Sequence, residues 1–150
     1  MTTSTDISVI AGDAGERLDI FGGPMIVKAD GSDLPMFVAE NPIPPGYMVP
    51  PHVHEHDDEV IQVLEGDLTL MGAEGESIAP AGSTVRLPRG SVHGFRNDTD
   101  GIVRLMVIAQ PGLQSAEMFR HFDRAGKATP GGLTPPEIVA ICAQYGVRMG

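Results

Sequence analysis

Glycine and proline interrupt this chain before its apolar runs reach the length of an ordinary helix. Between Met25 and Ile108 the runs are Met25–Ala29, Met36–Glu40, Glu59–Leu64, Asp67–Met71, Ser77–Ala79, Thr84–Leu87, His93–Asn97 and Ile102–Ile108. Turn signals separate them: Asp30-Gly31, Pro44-Pro45-Gly46, Glu65-Gly66-Asp67, Gly75, Pro80-Ala81-Gly82, Pro88-Arg89-Gly90 and Asp98 to Gly101. Short strands at this spacing predict an all-β sandwich or barrel of antiparallel strands. The 19 glycines and 13 prolines fit that expectation, and 41% hydrophobic residues suffice for one core. A length of 150 residues points to one domain.

The ends differ from the middle. Residues 1–22 are expected to be an N-terminal arm, loose to Glu16, with Ile7 to Ile10 able to pair as a short strand. Residues 23–112 are expected to form the barrel, and residues 113–150 a helical tail on its outside. Met118, Phe119 and Phe122 give Ser115 to Arg124 an apolar face. Thr134-Pro135-Pro136-Glu137 has the form of a capping box with proline in the first turn. Ile138, Ile141, Cys142 and Tyr145 then make one stripe, and Gly146 can end the helix.

A net charge of −10 argues against nucleic acid and anionic membranes as partners. Cys142 is the only cysteine, so no disulfide can form within the chain. The N-terminal residues have neither a basic start nor a long apolar run. The expectation is a soluble cytoplasmic protein.

The chemistry concentrates in two clusters. Gly46 to Gly66 contains His52, His54 and Glu59, and Gly82 to Asn97 contains Pro88, Gly90 and His93. Residues two apart on a strand share a face, so His52 and His54 can reach one ion. Glu59, five beyond His54, has the wrong parity for one straight strand. The polar stretch Glu55 to Asp58 can supply the bend that returns it. His93 must arrive from a strand distant in sequence. Three imidazoles and a carboxylate suit one divalent transition-metal ion: Fe, Mn, Ni, Co, Cu or Zn. Four protein ligands on a six-coordinate ion leave two positions open.

The spacings carry a resemblance. From Gly46, five residues lead to His52, one to His54, four to Glu59 and six to Gly66. From Gly82, five lead to Pro88, one to Gly90, two to His93 and three to Asn97. Both patterns resemble the two cupin motifs without departure. Pro50-Pro51-His52-Val53-His54, Val63-Leu64-Glu65-Gly66, Pro111-Gly112 and Gln144-Tyr145-Gly146-Val147 are similar to the small bacterial cupins akin to quercetin dioxygenase. The resemblance implies a double-stranded β-helix, a jelly-roll barrel with short C-terminal helices. It implies His52, His54, Glu59 and His93 as metal ligands, and a homodimer.

The same face rule places Met48, Pro50, Ile61, Val63 and Phe95 toward the site as pocket walls. Such a lining suits a small apolar or aromatic substrate. The family likeness implies a dioxygenase: Glu59 takes a proton from a hydroxylated aromatic or enol, and dioxygen opens the activated ring. A redox-neutral isomerase, cyclase or decarboxylase would use the same ion as a Lewis acid. A non-catalytic binding barrel is the third reading. His56 and His121 are expected to be exposed or supporting groups. Asp57 and Asp58 are expected in a solvated loop, and Cys142 in the core.

Overall fold

The computed structural model describes residues 5–149. In chain order the elements are β1 (Glu16–Ile20), β2 (Gly23–Asp30), β3 (Phe37–Ile43), β4 (Met48–His54), β5 (Asp58–Glu65), β6 (Leu68–Gly72), β7 (Gly75–Ala79), β8 (Thr84–Leu87), β9 (His93–Arg96), β10 (Val103–Gln110), α1 (Ser115–Ala128), α2 (Pro135–Ala143) and β11 (Val147–Met149). Among the described residues all the strand pairs are antiparallel, and they make two sheets. One has the order β1-β2-β3-β10-β5-β8 and the other β11-β4-β9-β6-β7. The fold is an all-β jelly roll carrying two helices.

Each sheet buries one face, as the alternation of side chains requires. On β10, Val103, Leu105, Val107 and Ala109 are buried and the residues between them are not. Ile43, Ile61, Val63, Leu68, Phe95, Val103 and Leu105 fill one end of the barrel. The second cluster joins Leu18, Ile20, Met25 and Phe37 to Met118, Phe122, Ile141 and Cys142. The sheets therefore enclose one end, and helices help close the other.

Three expectations change here. First, β1 begins inside the segment read as an arm. Its five residues bury only Leu18 and Ile20, too short an alternation to stand out in sequence. The Ile7 to Ile10 stretch forms no strand and is exposed. Second, β11 lies within the segment read as a helical tail and pairs with β4, Val147 opposite His54 and Met149 opposite His52. Third, the helices do more than coat the barrel. Phe119 stacks on Phe37 of β3 with centroids 5.4 Å apart, and Phe122 meets Phe21 edge-on at 5.2 Å. The α2 capping box is present: the Glu137 N–H donates to Thr134 Oγ1, and the Thr134 N–H donates to Glu137 Oε2 at 2.7 Å. Among the described residues no helix is long and apolar enough to cross a membrane.

Candidate metal centre and cavity

Strand β4 carries two consecutive prolines, which lack the N–H groups a ladder needs. Its pairing with β9 is irregular between Val49 and His52 and resumes with His52 directly opposite His93. Gly94 allows this. A Cβ there would lie 2.6 Å from the Val49 carbonyl oxygen and 2.8 Å from Pro51 N, so only glycine lets β9 approach the bulge. His93 is thus far from His52 in sequence and beside it in the sheet. Asn97, the last motif residue, is fully buried and serves the backbone. Its Nδ2 donates to the carbonyls of Ile43 and Gly101, and its Oδ1 accepts from the Thr99 N–H.

The three imidazoles converge. Nitrogens of His52, His54 and His93 all lie within 4.8 Å of one another. His52 Nε2 and His54 Nε2 are 3.1 Å apart. Two nitrogens bound to one ion at about 2.1 Å stand about 3.0–3.4 Å apart, so this pair already has ligand spacing. His52 Nδ1 donates to the Pro50 carbonyl at 2.9 Å, and His93 Nδ1 to the Ser91 carbonyl at 3.3 Å. Those bonds place the Nε2 lone pairs toward the centre. His93 Nε2 is buried with no hydrogen-bond partner among the described residues. A lone pair so placed is what a metal ion satisfies. The donor set fits a divalent transition metal.

Glu59 reaches the edge of this set from another direction. It comes from β5 in the opposite sheet, and its Oε2 lies 3.2 Å from His54 Nε2. The group of nitrogens within mutual reach does not include it. The irregular residues 55–57 between β4 and β5 correct the parity that a straight strand would have given it. Burial raises the Glu59 pKa to about 8, with the Asp57 charge adding to the effect. Burial lowers all three imidazoles, His54 to about 4 and His93 to about 3, the neighbouring rings contributing in both. Neutral imidazoles are the form that binds a metal.

A cavity of about 490 Å³ opens from this centre. His52, His54 and Glu59 form its polar end, and Met48, Pro50 and Phe95 border it as the face rule expects. Ile61 and Val63 do not. Both are fully buried in the closed end of the barrel. Their parity was right, but the cavity runs the other way, toward β1, β2 and the helices. There Met25, Phe37, Asn41, Tyr47, Phe119 and Phe122 supply walls that strand parity around the motifs could not reach. The apolar face of α1 was the available signal. It was read as covering the barrel, whereas it covers the barrel's mouth.

The remaining candidates lie apart. His56 is exposed and stands against Gly146. His121 is half-buried and shares a 2.9 Å hydrogen bond with the Tyr145 hydroxyl. Asp57 is half-buried, and its Oδ1 accepts from the Gly112 N–H at 2.8 Å. Asp58 pairs with Arg89 at 3.1 Å on the surface. Cys142 is buried, and its side of α2 borders the cavity.

Comparison with known proteins agrees with this architecture. Residues 42–109 match the family model for the cupin domain. A solved sugar phosphate isomerase of the cupin superfamily from Silicibacter pomeroyi DSS-3 aligns with a TM-score of 0.63 and 24% identity, over 69% of this chain and 75% of that one. The polyketide cyclase RemF from Streptomyces resistomycificus aligns with a TM-score of 0.54 and 23% identity, over 74% and 78%. At these identities the likeness is one of fold. Endoribonuclease YbeY of Myxococcus xanthus (strain DK1622) is 30% identical over 103 residues. That match covers 69% of this chain, which spans only 33% of that protein's length. Residues 42–109 therefore match the cupin domain, and the chain has the double-stranded β-helix fold of these solved structures.

Proposed function

We propose that this chain is a metal-dependent enzyme acting on a hydroxylated aromatic or enol, with dioxygen as co-substrate. The observation that carries the reading is one carboxyl group, Glu59, at the junction of a three-histidine cluster and an apolar cavity. His52, His54 and His93 would hold the ion. When bound, a divalent transition metal supplies Lewis acidity and, where redox-active, a path for electrons to dioxygen.

The side chains supply the rest. Met48, Phe95 and Phe37 present apolar walls that exclude water and favour a flat ring. A hydroxyl directed at the histidine end meets Glu59, whose ionised form takes its proton. The pocket walls hold the resulting anion away from solvent until the ring reacts.

A redox-neutral reading shares every step up to the proton transfer. A buried carboxyl favours it equally, since it can return the proton to carbon. Oxygen consumption separates the two. Anaerobically purified, iron- or manganese-loaded protein is mixed with flavonols and simpler phenols, and oxygen uptake is followed beside substrate loss. Equimolar uptake and loss, absent in His93→Ala, is the expected result. Substrate loss without uptake would overturn the dioxygenase reading in favour of the redox-neutral one. Tight binding with no loss would leave a binding barrel.

A further inference from the structure

Helix α1 starts at a buried wall without a cap. Its N-cap residue, Gln114, makes no side-chain capping bond. Ser115 and Ala116, the first two helical residues, are 7% and 2% exposed. The Ser115 N–H donates to the Gly112 carbonyl at 3.4 Å, and the Met118 N–H donates to the Gln114 carbonyl at 3.0 Å. The N–H groups of Ala116 and Glu117, between them, have no partner among the described residues. Orphan donors at a buried helix start call for a ligand or a water, and the positive end of the helix dipole favours an anion there.

The Ser115 side chain independently points to a ligand. Ser115, Met118, Phe119 and Phe122 fall at i, i+3, i+4 and i+7, which is one helix face, and all four border the cavity. Ser115 is the only polar residue of the four. Its hydroxyl makes no hydrogen bond among the described residues, and its Oγ is open to a water-sized molecule, whereas Asn41 Oδ1 and His93 Nε2 are sealed. Serine near a helix start ordinarily bonds the helix's own N–H groups. This one faces the cavity instead.

The chain places this helix start at the Glu59 end. The Gly112 N–H donates to Asp57 Oδ1 at 2.8 Å, and a Cβ on Gly112 would lie 2.8 Å from Phe37 N. Phe37 and Glu59 both face Ala109 in the sheet. The carboxylates nearby are engaged elsewhere, Asp57 with Gly112 and Glu117 with Arg120 at 2.8 Å.

We propose that Ser115 determines specificity for a substrate carboxylate. Its hydroxyl donates to that carboxylate, which lies at the positive end of α1 while the substrate's ionising hydroxyl meets Glu59. The substrate class narrows to hydroxyaromatic or enolic acids, and uncharged phenols are disfavoured. This rests on reading the cavity as the site of a hydroxylated aromatic or enol.

Binding to the zinc-loaded full chain tests it, since zinc permits no redox turnover. The probes are 2-naphthol, 3-hydroxy-2-naphthoic acid and the methyl ester of that acid, with dissociation constants read by fluorescence titration. The wild type should bind the acid about tenfold or more tighter than either 2-naphthol or the ester. Ser115→Ala should weaken the acid about fivefold or more and leave 2-naphthol within about twofold. The ligand-free variant should melt at or above the wild-type temperature, because the lost hydroxyl bonds nothing in the chain and alanine is the better helix former. A wild type that binds the acid no tighter than the ester or 2-naphthol overturns the proposal before any variant is made, and leaves the aromatic-substrate reading standing. An acid preference that survives undiminished in Ser115→Ala also overturns it, since chelation by the zinc then accounts for the preference. Equal weakening of all probes, or a variant that melts lower, marks a structural role and overturns it as well. If the wild type binds none of the probes, the aromatic-substrate reading falls and this proposal with it.

Discussion

Glu59 receives no hydrogen bond from a cationic side chain among the described residues, and its neighbour His54 is held neutral by burial. A carboxyl in that position gives up its proton reluctantly and recovers it readily, which is the behaviour of a proton carrier rather than of a fixed anion. Glu59→Gln keeps the shape and removes the titrating oxygen. Turnover should fall about 10²- to 10⁴-fold. Metal content should stay close to wild type, because the mutually adjacent nitrogens are those of the three histidines. Elemental analysis beside steady-state kinetics checks both, and loss of metal in Glu59→Gln would return the residue to the ligand set. At this scale the sequence was most informative. Two-residue spacing brought His52 and His54 together, and the second motif supplied His93. Ser115 was invisible because a serine at a helix start ordinarily serves the helix itself. Its meaning comes from an uncapped first turn and from a cavity built by other elements.

The elements most easily misread are those that gain meaning only by docking. β1 buries two side chains, and β11 is three residues long, yet each extends a sheet edge. Helix α1 is tied to β1 by Asp123, whose Oδ1 accepts from the Asp19 N–H at 2.8 Å and whose Oδ2 accepts from Lys127 at 2.9 Å. The Asp19 N–H, followed by Lys127, holds the Asp123 carboxyl below its ordinary range. A carboxylate depressed in the folded state stabilises it above the unfolded pKa, and that contribution disappears as pH falls through the folded value. Urea unfolding at pH 7 should show Asp123→Asn less stable than wild type by about 1 kcal/mol, since the neutral amide still accepts from Asp19. The gap should close as pH falls below the ordinary aspartate value of about 3.9. A gap that persists there would mean the charge is not what ties α1 to β1. The amphipathic pattern of α1 was legible. Its destination was not, because a helix face specifies burial without naming what it is buried against.

Across the whole molecule, the turn punctuation and the two spaced clusters carried the architecture: two antiparallel sheets, three histidines on one and Glu59 on the other. The closed end of the barrel is a packed core and the open end is a cavity roofed by helices. The candidate metal site sits where they meet and joins β4 to β9, strands that are already paired, rather than creating the fold. That arrangement makes metal loss and unfolding separable. The most direct test is the metal content of the untagged protein, reconstituted anaerobically with Fe(II) or Mn(II) and compared with His93→Ala, with circular dichroism and thermal melting run on both. The account predicts about one ion per wild-type chain, little in the variant, and a variant that still melts cooperatively. Full occupancy in His93→Ala, or a wild type that takes up no metal, would contradict it.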